Sequence, residues 1–383
     1  LKGRMKTVLD VTSATHSRGG VGRWIAGLSK GLQNANPHHA SLDVPETHPG
    51  LKTPVDKARL LPTPLWLGVP LLRRQFLRLG RLEATREKRI RRILGTPDIM
   101  HLSGVQPFGA GKIKVVTFFD DTPWTSPESH TEHTLFYANR LENLIRGGAA
   151  VLAISGWAAE RARKRFDIPA ERIGIAGGAA DDSFHPGEPD PGVLGSFDLE
   201  PDRYFLHVGS FVPRKNIPFL TECFQKAQSC GAKLVLAGSE KWGDQGFNSS
   251  ERIICLERVT DLELLSLYRG ARAVFIPSAE EGLGLPLLEA LACGTPVVSS
   301  DGGALPETVE KAGLVLPVLD SRSWVAAITD LAKGTTLSTL RNMAASHRRT
   351  TWNCVAARAM AFYESLLEQR SSKTVNQPGK QGC

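Results

Sequence analysis

The chain is predicted to be an α/β protein of two doubly wound, parallel-sheet domains facing across a cleft. Three observations predict it. Short apolar runs alternate with stretches that are apolar at helical spacing in both halves, glycines stand at several run-to-helix junctions, and a proline- and glycine-rich interval separates the halves. Ligands of such sheets sit beyond the carboxyl ends of the strands, so the junctions are the places to search for chemistry.

In order, residues 7–11, 114–119 and 151–154 read as buried strands of the first domain, with helices at 21–32 and 140–145. Residues 186–201 hold four prolines and three glycines with little periodic apolar content, which predicts a linker at 187–202 after a first domain at 1–186. Strands at 204–208, 233–237, 252–255, 273–276 and 297–299 repeat the alternation in a second domain at 203–352. A terminal helix is expected at 353–370, since 358–367 has helical spacing, followed by a disordered tail at 371–383.

Composition narrows the class. The 383 residues are 41% hydrophobic and 22% charged, ordinary for a soluble globular chain with sizeable cores. The formal charge is +8, yet residues 73–92 alone carry nine Lys or Arg against Glu83 and Glu87, a net of +7. The rest is almost neutral, which argues against nucleic acid as a partner, as does the lack of any nucleic-acid-binding motif. Residues 60–94 mix that cluster with Trp66, Leu67, Leu71, Leu72, Phe76 and Leu77, suiting either an amphipathic helix on an anionic membrane or a solvated basic helix. Six cysteines, Cys223, Cys230, Cys255, Cys293, Cys354 and Cys383, form no CxxC pair and read as free thiols. No charged segment followed by an apolar stretch opens the chain and no apolar run reaches membrane-spanning length, so a cytoplasmic location is expected, peripheral on the inner face of the plasma membrane if the basic segment binds lipid.

The most informative segment is 279–298, where Glu281 and Glu289 flank a glycine turn, Gly282 to Gly284, and a helix start at Leu285 and Pro286. Pro286 is expected as the first helical residue and Gly294 as a left-handed cap. A helix opening beside glycines offers unpaired N–H groups and a positive dipole end to a phosphate. Glu281 in the turn can accept from sugar hydroxyls, and Glu289, near the first turn, from a diol such as ribose. Surface glutamates on an ordinary strand-turn-helix unit are the plain alternative.

This segment resembles the glutamate-x7-glutamate signature of the retaining GT-B glycosyltransferases of family 4. Further pieces recur in family order: Gly20-Val21-Gly22-Arg23, residues 115–128, Ile154-Ser155, 208–216, 234–243, 265–268 and 300–307. The resemblance implies a GT-B fold, a terminal helix crossing back to the first domain, and transfer of a hexose from a nucleotide-diphospho sugar to a glycan or lipid-linked acceptor. In style it is similar to mannosyltransferases of polysaccharide and lipopolysaccharide assembly, with GDP-mannose or another nucleotide sugar as donor and no separate cofactor.

The resemblance also distributes roles. After the strand 204–208 come Gly209 and the Pro213-Arg214-Lys215-Asn216 turn, where Lys215 matches the lysine that neutralises the departing diphosphate and Arg214 could add a bidentate contact. The family's arginine after the glycine is here Ser210. Gly20, Gly22 and Arg23 match a loop lining the cleft from the acceptor domain, while Gly238, Trp242-Gly243 and Val259 border the nucleotide. Tyr268 reads more simply as core.

One departure stands out: where the family has histidine before Asp120, this chain has Phe119. Asp120 remains as a catalytic candidate, and His130 and His133 are the imidazoles near enough in sequence to substitute, although histidines at a polar helix start are more often solvated. No D-x-D and no metal-ligand cluster occurs, so metal-independent transfer is expected. The rival expectations are a catalytically silent nucleotide-sugar-binding protein, motivated by Phe119 and Ser210, and a sugar epimerase of the same fold.

Overall fold

The computed structural model describes residues 5–12, 14, 19–42, 92, 95–103, 111–228, 230–238 and 250–375. Two compact units account for them. The first comprises the described residues of 5–154, 158–177 and 352–375, the second Ser155–Trp157 and Gly178–Thr351.

The first unit is built on a parallel sheet in the order β2-β1-β3-β4-β5-β6. Its strands are β1 (Thr7–Asp10), β2 (His39–Leu42), β3 (Ile99–Leu102), β4 (Ile113–Phe118), β5 (Ala150–Ala153) and β6 (Ile173–Ile175). Helices α1 (Gly20–Ala35), α2 (Thr122–Thr125), α3 (Glu132–Arg146) and α4 (Gly156–Phe166) connect them. Val115, Val116, Val151 and Leu152 are buried completely, because helices cover both faces of a parallel sheet and near-continuous apolar runs are then the favourable composition.

β2, β3 and β6 are not among the expected strands, and their residues explain it. β2 reads His-Ala-Ser-Leu, β6 has three residues around a glycine, and β3 carries His101 in its middle. That imidazole is fully satisfied inside the sheet, with Nδ1 2.6 Å from the Tyr363 hydroxyl and Nε2 2.8 Å from Thr117 Oγ1. Burial pushes its pKa down to about 3, so it stays neutral.

In the second unit the order is β12-β11-β10-β7-β8-β9, again parallel. The strands are β7 (Tyr204–Val208), β8 (Lys233–Ala237), β9 (Ile253–Leu256), β10 (Ala273–Ile276), β11 (Val297–Ser300) and β12 (Leu314–Leu316). Before, between and after them run α5 (Pro191–Ser196), α6 (Ile217–Lys226), α7 (Asp261–Gly270), α8 (Leu285–Ala292), α9 (Leu305–Val309), α10 (Ser321–Lys333) and α11 (Leu337–Ala345). Successive strand residues serve opposite faces: Leu206 and Val274 join Leu267 and Leu287 in one core, whereas Phe205 and Phe275 join Phe224 and Trp324 in the other. The second core is knit by edge-to-face rings, Phe205 on Phe275 at 5.3 Å.

Three boundaries differ from the sequence reading, the first because residues 178–186, expected in the first domain, belong to the second unit. Residues 187–202 are no bare linker, because Asp190 accepts from Gly192 and Val193 N–H at the start of α5, and Leu194 and Leu199 enter the core beside Tyr204 and Leu267. The Asp-Pro pair at 190–191 is a helix-start signal that the surrounding glycines obscured. At the other end, α12 (Trp352–Val375) takes up residues 371–375 of the expected tail, and 376–383 lie outside the described residues.

Helix α12 belongs to the first unit and runs along α1. Gly27 makes this approach possible, since a Cβ there would stand 2.0 Å from Trp352 Cε2. Among the described residues no helix is long and apolar enough to cross a membrane. The expected membrane-binding segment 60–94 lies outside them except for Arg92.

Candidate functional site

The site in the second unit follows from strand order. β7 and β10 are parallel neighbours, so the loops leaving their carboxyl ends lie side by side. The β7 loop passes Gly209 and closes in a 3₁₀ turn, Pro213–Lys215, before Asn216 adopts the left-handed conformation and α6 begins. It is stitched to the β10 loop by Asn216 Nδ2 donating to Pro277 O at 3.0 Å and Ala279 N–H to Arg214 O at 2.7 Å. On its other side Gly238, ending β8, lies so close that a Cβ there would meet Gly209 O at 1.8 Å. Gly238 therefore holds this corner through backbone contact.

Three groups converge on the Glu281 carboxylate. Lys215 Nζ and Ser278 Oγ donate to Oε1, the latter at 2.8 Å, and Arg214 Nη1 lies 3.3 Å from Oε2 and 3.0 Å from Glu280 O. Lys215 and Glu281 are each only 8% exposed, so neither charge would be tolerated without the other. Burial alone would raise the Glu281 pKa, but the charges of Lys215 and Arg214 and the bonds from Lys215 and Ser278 outweigh it and hold the carboxyl at about 2. Glu281 is thus ionised throughout the physiological range. Of four acceptor positions on a carboxylate, three are engaged here, leaving one on Oε2.

His207, buried in β7, lies next to this pair. Its Nδ1 donates to Phe275 O at 2.9 Å, and its Nε2 has no hydrogen-bond partner among the described residues. Burial first, with the Lys215 charge in support, lowers its pKa to about 4 and keeps the ring neutral.

The helix after the glycine turn begins one residue earlier than expected. Gly284 is the left-handed N-cap at φ 84°, Leu285 opens α8, and Pro286 is second; Gly294 is left-handed at φ 78°, as the sequence predicted. Glu289 consequently sits in the second turn rather than the first, only 5% exposed, and its Oε2 accepts from the Tyr268 hydroxyl at 2.8 Å. Gly282 and Leu285 are buried at this turn. Val259, half-buried, packs on the core just before Thr260, whose side chain forms a capping box with Glu263 at the start of α7. Trp242 and Gly243 lie outside the described residues.

In the first unit Gly20, Gly22 and Arg23 belong to the opening turn of α1 rather than to a loop before it. Trp24 follows them, anchored by Nε1 donating to Gly177 O at 2.8 Å, and the Phe119 ring meets it edge-on at 5.7 Å. Asp120 Oδ1 accepts from Thr122 N–H at 3.1 Å and Thr122 Oγ1 at 2.6 Å, and His130 Nε2 lies 2.9 Å from that same hydroxyl.

The expected residues thus form two groups, one in each unit. Lys215, Arg214 and Glu281 meet directly with Gly209 beside them; Gly238, Gly282, Gly284, Leu285, Glu289 and Val259 frame the same end of the second sheet. Three participants escaped the sequence reading: Ser278, Tyr268 and Thr122. The spacing Asp120-x-Thr122 is a turn signature that could have found the last. Among the described residues no group of three His, Cys, Asp or Glu side chains is placed to hold a metal ion.

Residues 18–183 match the family described as Glycosyltransferase Family 4, and residues 202–334 match that described as Glycosyl transferases group 1. The chain is 31% identical over 264 residues to O-antigen chain mannosyltransferase B of Escherichia coli, covering 65% of this chain and 69% of that one. It is 26% identical over 227 residues to O-antigen chain mannosyltransferase RfbU of Salmonella typhimurium, covering 57% of this chain and 60% of the relative. Among solved structures, sucrose-phosphate synthase of Thermosynechococcus elongatus superposes with a TM-score of 0.65 at 18% identity, over 96% of this chain and 100% of that one. At that identity the likeness speaks for the fold alone.

Proposed function

The chain belongs to the family 4, or group 1, glycosyltransferases and has their GT-B fold, and from that premise we propose that it transfers mannose from GDP-mannose, with retention of configuration and without a metal ion, to a hydroxyl of a glycan or lipid-linked acceptor. The observation that carries this reading is the convergence of Lys215 and Arg214 on the buried, ionised Glu281 at the carboxyl ends of β7 and β10. The mannose donor is supported by the likeness to two O-antigen mannosyltransferases.

In this reading Lys215 and Arg214 take up the charge that develops on the diphosphate as its bond to the sugar breaks. The opening of α8 at Gly282, Gly284 and Leu285 presents backbone N–H groups to the phosphates, while Gly209, whose own N–H donates to Ala237 O at 3.0 Å, leaves room beside them and Gly238 shapes that corner. The open acceptor position on Glu281 Oε2 receives a donor sugar hydroxyl, and Glu289, held by Tyr268, receives the ribose. Val259 borders the base. Gly20, Gly22, Arg23 and Asp120 of the first unit serve the acceptor side. The acceptor oxygen forms its bond to the anomeric carbon on the face that the phosphate leaves, and its proton passes to the departing phosphate oxygen, which gives GDP. Residues 60–94 would bring the chain to an anionic membrane surface from the cytoplasmic side.

The test is the product itself. GDP-α-mannose with methyl α-mannoside should yield GDP and an α-linked disaccharide in equal amounts by NMR, whereas a β-linked product contradicts retention. Phe119 in place of histidine favours one other reading, a binder that holds GDP-mannose without releasing GDP, and the same tube distinguishes it.

A further inference from the structure

Asp120, Thr122 and His130 stand just past the carboxyl end of β4, the kind of place where parallel sheets hold ligands. A carboxylate only accepts hydrogen bonds, so the single proton of the Thr122 hydroxyl points at Asp120 Oδ1, 2.6 Å away. That hydroxyl has only a lone pair left for His130 Nε2 at 2.9 Å, and Nε2 must therefore carry a hydrogen. The whole chain has one direction, from the imidazole N–H to the threonine oxygen and from the threonine O–H to the carboxylate. Thr122 N–H adds a second bond to the same Asp120 oxygen at 3.1 Å.

This arrangement immobilises one side of the carboxylate. Oδ1 is held twice, and Oδ2 has no hydrogen-bond partner among the described residues. Thr122 is only 3% exposed, while Asp120 and His130 are half-buried, so the link is shielded and both ends reach toward solvent. The short α2 that carries Thr122 is itself fixed, as Trp124 donates to Glu142 Oε2 at 3.0 Å and stacks on Phe118 at 6.2 Å. The adjacent Phe119 ring turns to Trp24 and offers no polar atom.

We propose that His130, acting through Thr122, is the positioning residue that presents Asp120 Oδ2 to the acceptor hydroxyl. This rests on the glycosyl-transfer reading. Ordered hydrogen bonds of this kind limit the carboxylate to one rotamer, and the gain falls on orientation of the acceptor rather than on donor binding.

The experiment measures kcat and KM for methyl α-mannoside at saturating GDP-mannose in the wild type and in T122V, T122S, H130F and H130Q, with the GDP-mannose Kd of each by calorimetry. T122V and H130F are expected to lose about tenfold or more in kcat/KM for the acceptor at an unchanged donor Kd. T122S keeps the hydroxyl and H130Q keeps an N–H donor, so both should stay near the wild type. Active wild type with T122V and H130F at wild-type constants overturns the relay alone, as do equal losses in T122S and T122V. A wild type that binds GDP-mannose yet transfers to no acceptor removes the glycosyl-transfer reading, and the role assigned to His130 falls with it.

Discussion

Replacing Glu281 by glutamine is expected to lower the rate of mannosyl transfer by about a hundred- to a thousandfold, the range found when one preorganised electrostatic partner is removed from an active site. The side chain keeps its size and one acceptor oxygen, so the loss is not one of shape. What disappears is a negative charge that stays ionised down to about pH 2, and with it the group that fixes Lys215 and Arg214 where the diphosphate must be met. The measurement is GDP release under single-turnover conditions, so that binding and chemistry are read separately. A variant that transfers at the wild-type rate would show that Glu281 serves only to neutralise a buried lysine.

Replacing Lys215 by methionine acts on the same pair from the other side, and its first effect is on stability. Glu281 would then be left buried with Arg214 and Ser278 as its remaining partners, and breaking a buried pair by removing one member costs about 3–5 kcal/mol. The sign of the pH dependence follows from the depressed pKa. A carboxyl held at about 2 against an ordinary value of 4.5 contributes stability that is present above the ordinary value and is lost as pH falls through about 2. The shift is equivalent to about 3 kcal/mol. In the methionine variant desolvation dominates, Glu281 takes up its proton at higher pH, and a neutral carboxyl needs no cation. The stability gap between wild type and variant should therefore be widest near neutrality, begin to narrow once pH falls through the variant's raised carboxyl pKa, and go on narrowing from 4.5 toward about 2, as read by urea denaturation at several pH values. A gap independent of pH would mean that the pair is not coupled in this way.

Much of the fold was legible from strands such as 115–118, 204–208 and 273–276, whose near-continuous apolar residues point to a sheet covered on both faces. β2, β3, β6 and β12 were not, because three or four residues, broken by serine, histidine or glycine in the first three and merely too few in Leu314–Leu316, give no periodic signal, and their pairing is dictated by neighbours already in the sheet. The segment 187–202 misled for a related reason, since its prolines and glycines mark a helix start and turns as readily as a linker.

The candidate site divides in the same way. The glycine turn, the left-handed Gly294 and the residue types at 214, 215, 281 and 289 could be read from the sequence. That Lys215 bonds Glu281 could not, as no local spacing relates residues of two loops that become neighbours only through the β7–β10 pairing. Tyr268 looked like core and is core, but its hydroxyl orients Glu289. The substitution of Phe119 reads differently once Trp24 is seen across from it: the position packs against the start of α1, and the polar reach at this end of the sheet comes instead from Asp120, Thr122 and His130.

The most direct test of the central claim is nucleotide release by the wild type from GDP-mannose, UDP-glucose and ADP-glucose, each with and without methyl α-mannoside and a membrane-lipid extract as acceptors. Release from GDP-mannose that depends on an acceptor is the expected result. Binding of GDP-mannose with no release under any of these conditions, or release that yields only free or epimerised sugar, would contradict it.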